Sequence, residues 1–322
     1  MSETENVVKL EPGDMVKGRF RCLQRLGAGG FGDVYKMVDG QNKYALKMEP
    51  LDAETQILRM EVYVLEALAA RQGRHFATII DKGRSAGFNY VVMSLLGPSL
   101  ESLRKSRPQQ KFSLSTAVRV GVQCLEAIED LHGIGYLHRD VKPDNFAIGR
   151  PEIGEQRKVY VLDFGMCRKY IDQREEILTP RAAAGFRGTP PFASLNCHMF
   201  REMSRKDDLE SWFYQQVLLT TGHLPWEHVL APVDGKPVSF TEEINGKMLG
   251  LKRDCRAEDG LKAMLGDDCP KEYKEIFRYI DRLRYRDRPD YKLIYNCVKA
   301  ICNDRGIKYS DPFDWELNSN DT

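Results

Sequence analysis

Eight consecutive residues constrain this chain more than any other stretch: His138-Arg139-Asp140-Val141-Lys142-Pro143-Asp144-Asn145. Asp140 is placed to orient a hydroxyl and take its proton. Lys142, two residues on, can reach the same point as a fixed positive charge. Asn145 offers a neutral oxygen suited to a hard cation such as Mg²⁺. An acid, a cation and a metal ligand in one short loop are the parts that phosphoryl transfer requires, because positioning and charge neutralisation carry most of that reaction. An ordinary solvated turn needs no pattern so long and specific. The rest of the chain must then supply, in a fixed order, a phosphate-binding element and a second metal ligand.

Both are legible. Arg21 to Leu26 reads as a strand and runs straight into Gly27-Ala28-Gly29-Gly30-Phe31-Gly32-Asp33-Val34, where glycines 27, 29 and 32 fit G-x-G-x-x-G. Glycine lets backbone N–H groups approach phosphate oxygens. A dinucleotide-binding fold shares that pattern but needs a helix directly after it. Here Val34 to Val38 looks like a second strand, closed by the turn 39–42. Lys43 to Met48 is a third strand, and its alternation puts Lys47 on one face with Ala45, beneath the glycine flap. The segment Ile57 to Ala70 is predicted helical, with Leu58, Val62, Leu65 and Leu68 as its apolar stripe. Glu61, off the centre of that stripe, can face the third strand and pair with Lys47. Phe76 to Asp81 and Asn89 to Met93 complete a five-stranded sheet. The chain leaves it at 94–97 in a hinge whose Leu95 backbone is free to bind an adenine edge, with Met93 behind it.

From Pro98 the pattern turns helical. Ser115 to Leu131 is a long helix stopped at His132-Gly133, and the strand Val159 to Leu162 leads into Asp163-Phe164-Gly165. Asp163 lies 18 residues after Asn145, behind a buried strand, and is the expected second Mg²⁺ ligand. Met166 to Thr189 reads as a long loop. A helix follows from Asp207 through Leu219, with Asp208 able to hydrogen-bond the catalytic stretch from below. The stretch 231–259 reads as loop-rich with no assigned role, and two helices close the chain around Asp287 to Tyr291.

Composition narrows the function classes. Lys plus Arg total 48 and Asp plus Glu 47, so no global basic field favours nucleic acid or an anionic membrane. The start is polar, no apolar run is long enough to span a bilayer, and a cytoplasmic or nuclear monomer is expected. The eight cysteines form no Cys-x-x-Cys pair, which signals neither a zinc site nor a disulfide framework.

The ordered set Gly27/Gly29/Gly32, Lys47, Glu61, Asp140/Lys142/Asn145 and Asp163 resembles the protein kinases, over residues 18–316. More narrowly it resembles the casein kinase 1 group, through Leu96-Gly97-Pro98-Ser99-Leu100, Ala193-Ser194-Leu195-Asn196 and Asp207-Asp208-Leu209-Glu210-Ser211. Within that group it is similar to the tau-tubulin kinase branch, through Phe88 to Met93, Ala184 to Thr189 and Ser310 to Glu316. The resemblance implies an α+β bilobal fold. A polar lead (1–17) would precede a sheet lobe (about 18–93), the hinge (94–97) and a mainly helical lobe (98–316), with a tail (317–322). It implies an ATP- and Mg²⁺-dependent Ser/Thr kinase acting on proteins. Asp140 would be the base, and Lys142 with Thr189 the mark of Ser/Thr specificity. Asn145 and Asp163 would be the metal ligands. Leu26, Gly27, Ala28, Gly29, Gly30, Phe31, Gly32, Val34, Ala45, Lys47, Glu61, Met93 and Leu95 would form the nucleotide site. The alternative is an impaired kinase acting as a scaffold. Two departures from the family stand out. Pro191 replaces an arginine that helps bind an anion, leaving Arg187, Arg205 and Lys206 as possible substitutes. The stretch Ser211 to Gln216 is unusually polar for its helix.

Overall fold

The computed structural model describes residues 9–29, 32–53, 55–85, 87–233 and 235–317. Gly30 and Phe31, both expected at the nucleotide site, lie outside the described residues, as do residues 1–8 of the polar lead and 318–322 of the tail.

Short turns and β-rich sequence make the first part an antiparallel sheet. Its strands are β1 (Met15–Val16), β2 (Phe20–Gly29), β3 (Gly32–Asp39), β4 (Asn42–Pro50), β5 (Ile79–Ser85) and β6 (Phe88–Ser94), in spatial order β1-β2-β3-β4-β6-β5. The sheet has six strands rather than five, because the pair Met15–Val16 folds back beside Arg21 and Phe20. The fourth expected strand begins at Ile79, not Phe76. Phe76 bridges instead to Val161 and packs its ring on Phe164, which draws it toward the helical half. Period-two alternation separates two faces. Tyr35, Met37, Leu46, Met48, Tyr90 and Val92 bury one face with Phe20. The other face, with Val91 and Met93, joins Leu58, Val64, Leu65 and Leu68 of the helix α1 (Leu58–Ala70) in the main core. The buried face of α1 includes Glu61 itself, and Val64 rather than Val62 carries the stripe.

The second part is mainly helical. It opens with α2 (Leu100–Lys105) and α3 (Leu114–Gly133). Four short strands follow: β7 (Tyr136–Leu137), β8 (Phe146–Ile148), β9 (Val159–Val161) and β10 (Arg168–Lys169). β7 pairs with β10, and β8 with β9, so two small ribbons fix both ends of the catalytic stretch. α4 (Leu195–His198) leads into α5 (Arg205–Thr221), buried along nearly all its length and started by a capping box between Ser204 and Asp207. The polar run on α5 has structural work: Gln216 Nε2 donates to Ala117 O (3.0 Å) and to Tyr273 OH (2.6 Å). Gly121 of α3 lies so close to Gln216 that a β-carbon there would fall 2.0 Å from its side-chain oxygen.

The stretch 231–259 is not all loop. It contains α6 (Glu242–Asp254), capped by Thr241, and the start of α7 (Glu258–Leu265). Asn245, Gly246 and Gly250 are weak helix formers, which hid α6 from a propensity reading. Tertiary packing outweighs propensity here, as Asn245, Met248 and Lys252 turn one face into the core. α8 (Lys271–Arg282) and α9 (Tyr291–Arg305) close the fold on either side of the segment 287–290.

Candidate active site

The loop between β7 and β8 is held from below by one carboxylate. Asp208, at the start of α5, accepts from the backbone N–H groups of His138 (2.7 Å) and Arg139 (2.8 Å). Arg139 sits at φ +66°, a left-handed conformation that costs a non-glycine residue about 1–3 kcal/mol. The two N–H bonds to Asp208 offset that cost. His132 Nε2 lies 2.8 Å from the same carboxylate, and Tyr291 OH 2.6 Å from His132 Nδ1. Burial alone would raise Asp208, but the His132 hydrogen bond and the loop N–H groups outweigh it and hold its carboxyl below the ordinary value.

On this base Asp140, Lys142 and Thr189 come together. Thr189 Oγ1 donates to Asp140 Oδ1 at 2.7 Å and accepts from Lys142 Nζ at 2.7 Å. Lys142 Nζ also lies 3.0 Å from Asp140 Oδ2. Asn145 Nδ2 donates to the Asp140 carbonyl (2.8 Å) and to Oδ2 (3.1 Å). Gly188 makes the approach of Thr189 possible. Its φ is +118°, and a β-carbon there would meet Arg139 O at 2.8 Å.

The sheet delivers the second group. Val34 lies opposite Lys47, and Ala45 opposite Met93, which brings these four onto one face by register. Lys47 is buried, with Nζ 2.5 Å from Glu61 Oε2 and 3.4 Å from Asp163 Oδ1. Burial opposes the Lys47 charge, but Glu61 and Asp163 outweigh it and hold the ammonium above its ordinary value. Asp163 is itself left-handed at φ +56°, and the Gly165 N–H donates to its Oδ1 at 3.1 Å. Burial raises the Asp163 carboxyl, yet Lys47 and that N–H bring it below the ordinary value. Phe164 is locked between the rings of Phe76 and His138.

Along the hinge, Gly97 N–H bonds to Ile148 O (2.8 Å). Among the described residues neither the N–H nor the C=O of Leu95 has a protein partner. On the glycine flap, Gly32 needs its missing side chain, since a β-carbon would sit 2.2 Å from Met48 O at φ +127°. Gly27 carries no such crowding, Leu26 is exposed, and Ala28 and Gly29 end β2. Asn145 Oδ1 and the Asp163 carboxylate are hard oxygen donors, the kind Mg²⁺ takes alongside phosphate oxygens rather than from an all-protein cage. Among the described residues no group of three or more His, Cys, Asp or Glu could hold a metal by itself. By their chemistry the two oxygen donors fit the ion.

The model for the protein kinase domain matches residues 20–229. The chain belongs to the protein kinase family. Over 304 residues, 93% of its length, this kinase is 35% identical to the serine/threonine-protein kinase spe-6 of Caenorhabditis elegans, of which it spans 76%. Over 310 residues, 96% of its length, it is 34% identical to a Dictyostelium discoideum protein named "Probable serine/threonine-protein kinase", and it spans 58% of that relative.

Around the kinase site, several supports carried no sequence signal. The His132–Tyr291 link spans 159 residues, and no local pattern announces it. Glu202, buried, pairs with Arg168 (3.3 Å) and with Arg181. The cations proposed to stand in for the missing arginine divide. Arg205 spreads over the Tyr170 ring and bonds to the Arg286 and Asp287 carbonyls. Lys206 donates to Asp281 O at 2.8 Å. Arg187 remains exposed beside Gly188.

Proposed function

We propose that this protein is an ATP- and Mg²⁺-dependent serine/threonine protein kinase of the casein kinase 1 group, resembling the tau-tubulin kinase branch. The observation that carries the reading is the triangle of Asp140, Lys142 and Thr189. An ionised carboxylate offers about four lone-pair directions. Asp140 uses three of them, toward Thr189, Lys142 and Asn145, and keeps one for an incoming hydroxyl. That hydroxyl oxygen attacks the γ-phosphorus of ATP, its proton passes to Asp140, and the bond to the leaving ADP oxygen breaks. Lys142 offsets charge on the transferring group, and Lys47, fixed by Glu61, holds the phosphates. Mg²⁺, when bound, supplies charge neutralisation for the phosphates, with Asn145 and Asp163 as its protein ligands. Val34, Ala45, Met93 and the open Leu95 backbone would take the base, beneath a flap running from Leu26 to Gly32.

The kinase unit would span 18–316, with the hinge at 94–97. We read it as a monomer acting on proteins in the cytoplasm or nucleus, with neither nucleic acid nor membrane as partner; no described helix is long and apolar enough to cross a membrane. The test is incubation of the pure protein with γ-labelled ATP, Mg²⁺ and a protein mixture, followed by phosphoamino-acid analysis. Label on serine and threonine is expected. Label on tyrosine alone, or on small molecules alone, would contradict the assignment.

A further inference from the structure

The segment after Thr189 is short of donors and rich in carbonyls. Pro190 and Pro191 have no N–H, and the N–H groups of Phe192 and Ala193 both turn back onto Thr189 O. The carbonyls of Pro190, Pro191 and Ala193 therefore point away from any ladder and need donors from elsewhere. Two buried side chains supply them. Trp226 Nε1 donates to Pro191 O at 2.7 Å. Lys252 Nζ donates to Pro190 O at 3.0 Å and to Ala193 O at 2.6 Å.

Lys252 is fully buried, a rare state for lysine. Its ammonium has three N–H donors, and three acceptors surround it: the two carbonyls and His198 Nε2 at 3.0 Å. The rings of Tyr214 and Trp226 lie 5.0 and 4.9 Å from the same nitrogen. His198 is set as the acceptor. Its Nδ1 lies 2.7 Å from Asn245 Oδ1, which can only accept, so the proton sits on Nδ1. Nε2 keeps its lone pair for Lys252 at 3.0 Å, and its 3.2 Å approach to Pro190 O is then a contact without a proton. Asn245 Nδ2 then donates to His198 O at 3.0 Å. Residues of α6 and α4 are thus joined to the loop that carries Thr189.

We propose that Lys252, seated by His198 and Asn245, is a positioning residue for the reaction: its charged form fixes the segment Pro190–Ala193 and thereby sets Thr189 against Asp140. This rests on the kinase reading above. The charged form matters because a neutral amine has two donors and turns a lone pair toward the third acceptor, releasing one contact of the cage. Burial draws the Lys252 ammonium down to about 7, while Glu210 pulls the other way. The other groups facing it, Asp207 apart, stay fixed near neutrality. Burial holds His198 near 4 and raises the Cys197 and Cys255 thiols to about 11 and Tyr214 still further up. Glu210 is kept ionised by Arg256. Asp207 is pushed up by burial to about 6, close to the Lys252 value, so it is the Lys252→Met comparison that assigns the alkaline limb.

The experiment compares wild type with Lys252→Met, which keeps the stem and removes every donor, and Lys252→Arg, which keeps the charge. Peptide phosphorylation, nucleotide affinity and hydrogen exchange at the Phe192 and Ala193 amides are followed from about pH 6.5 to about pH 9. In wild type, catalytic efficiency falls as pH rises through the folded Lys252 value, and exchange at the two amides, corrected for its intrinsic pH dependence, rises in step. Lys252→Met loses about 10–100-fold in efficiency, keeps its nucleotide affinity and shows no alkaline limb, while Lys252→Arg recovers part of the loss. Wild-type efficiency with an unchanged alkaline limb in Lys252→Met overturns the proposal. If that variant fails to fold, wild-type exchange decides: protection at Phe192 and Ala193 that stays constant with pH overturns it. A wild type that phosphorylates nothing refutes the kinase reading instead, and the exchange data still show whether Lys252 holds the loop.

Discussion

Asp208 is wholly buried and satisfies three donors around the catalytic loop, two backbone N–H groups and His132. Asp208→Ala leaves all three without a partner and removes what offsets the strained Arg139, so a loss of roughly 3–5 kcal/mol in unfolding free energy is expected from urea titration. Unchanged stability would mean that water replaces the carboxylate at no cost. Pro191 makes the second prediction at this scale. Its carbonyl is bound by Trp226, it offers no charge, and Arg205 and Lys206 are committed to backbone carbonyls elsewhere. Discrimination for a primed peptide, phosphorylated or acidic upstream of the target hydroxyl, is therefore expected to be weak. It should rise about tenfold or more in Pro191→Arg, since a charge-assisted hydrogen bond contributes about 1.5–3 kcal/mol. The measurement is the ratio of catalytic efficiencies on primed and unprimed twins. A large wild-type ratio that the arginine leaves unmoved would show that Arg187 or another cation does the reading.

The long loop 166–189 is the element on which regulation turns. Its hydroxyls are Tyr170, Thr179 and Thr189. Tyr170 is buried, with its OH on His132 O at 2.7 Å, and Thr189 belongs to the triangle with Asp140. The loop is already tied down without phosphate: Glu202 pairs with Arg168 and Arg181, and Tyr285 OH donates to Leu178 O at 3.1 Å. Phosphatase-treated protein, and Thr179→Ala, should keep most of their activity toward a peptide; loss of most of it would reject a self-sufficient loop. Glu202→Ala should loosen the loop by about 1–2 kcal/mol, modest because Arg181 is half exposed, and limited proteolysis would register it. Burial opposes ionisation of Glu202, but Arg181 and Arg168 hold its carboxyl below the ordinary value. Its contribution is therefore complete above the ordinary carboxylate range and fades as pH falls through the depressed value. Elements of this kind divide by how local their signal is. The glycine flap, the Lys47 strand and the 138–145 loop were legible because turn chemistry and alternation fix them within a few residues. α6 was not, since Asn245, Gly246 and Gly250 hide a helix that only burial of Met248 and Lys252 stabilises. Phe76 was misplaced for a similar reason: its strand-like sequence is overruled by the distant ring of Phe164.

At the scale of the whole molecule, the site exists only where the sheet and the helices meet. Lys47 comes from β4, Glu61 from α1, Asp163 from the end of β9, and Asp140 from a loop fixed by α5. The sequence order predicted which residues should meet, and the pairing of Lys47 with Glu61 follows from the faces of one strand and one helix. The support of the catalytic loop by Asp208 was legible, but its continuation through His132 to Tyr291 within the helical part was not, because those residues are joined by folding alone. Lys47→Met should abolish most transfer and, because it leaves buried Glu61 without its partner, also lower the unfolding free energy by roughly 3–5 kcal/mol; retained activity would remove Lys47 from the phosphate site. The most direct test of the account is the single-turnover rate of Asp140→Asn beside wild type, with γ-labelled ATP, Mg²⁺ and a serine or threonine peptide, at matched nucleotide occupancy. The amide keeps the contacts around Thr189 and Lys142 near their present geometry but cannot take the proton. A fall of about 10²–10⁴ in rate with nucleotide affinity unchanged is predicted, whereas near-wild-type turnover in Asp140→Asn would contradict the assignment of Asp140 as the base.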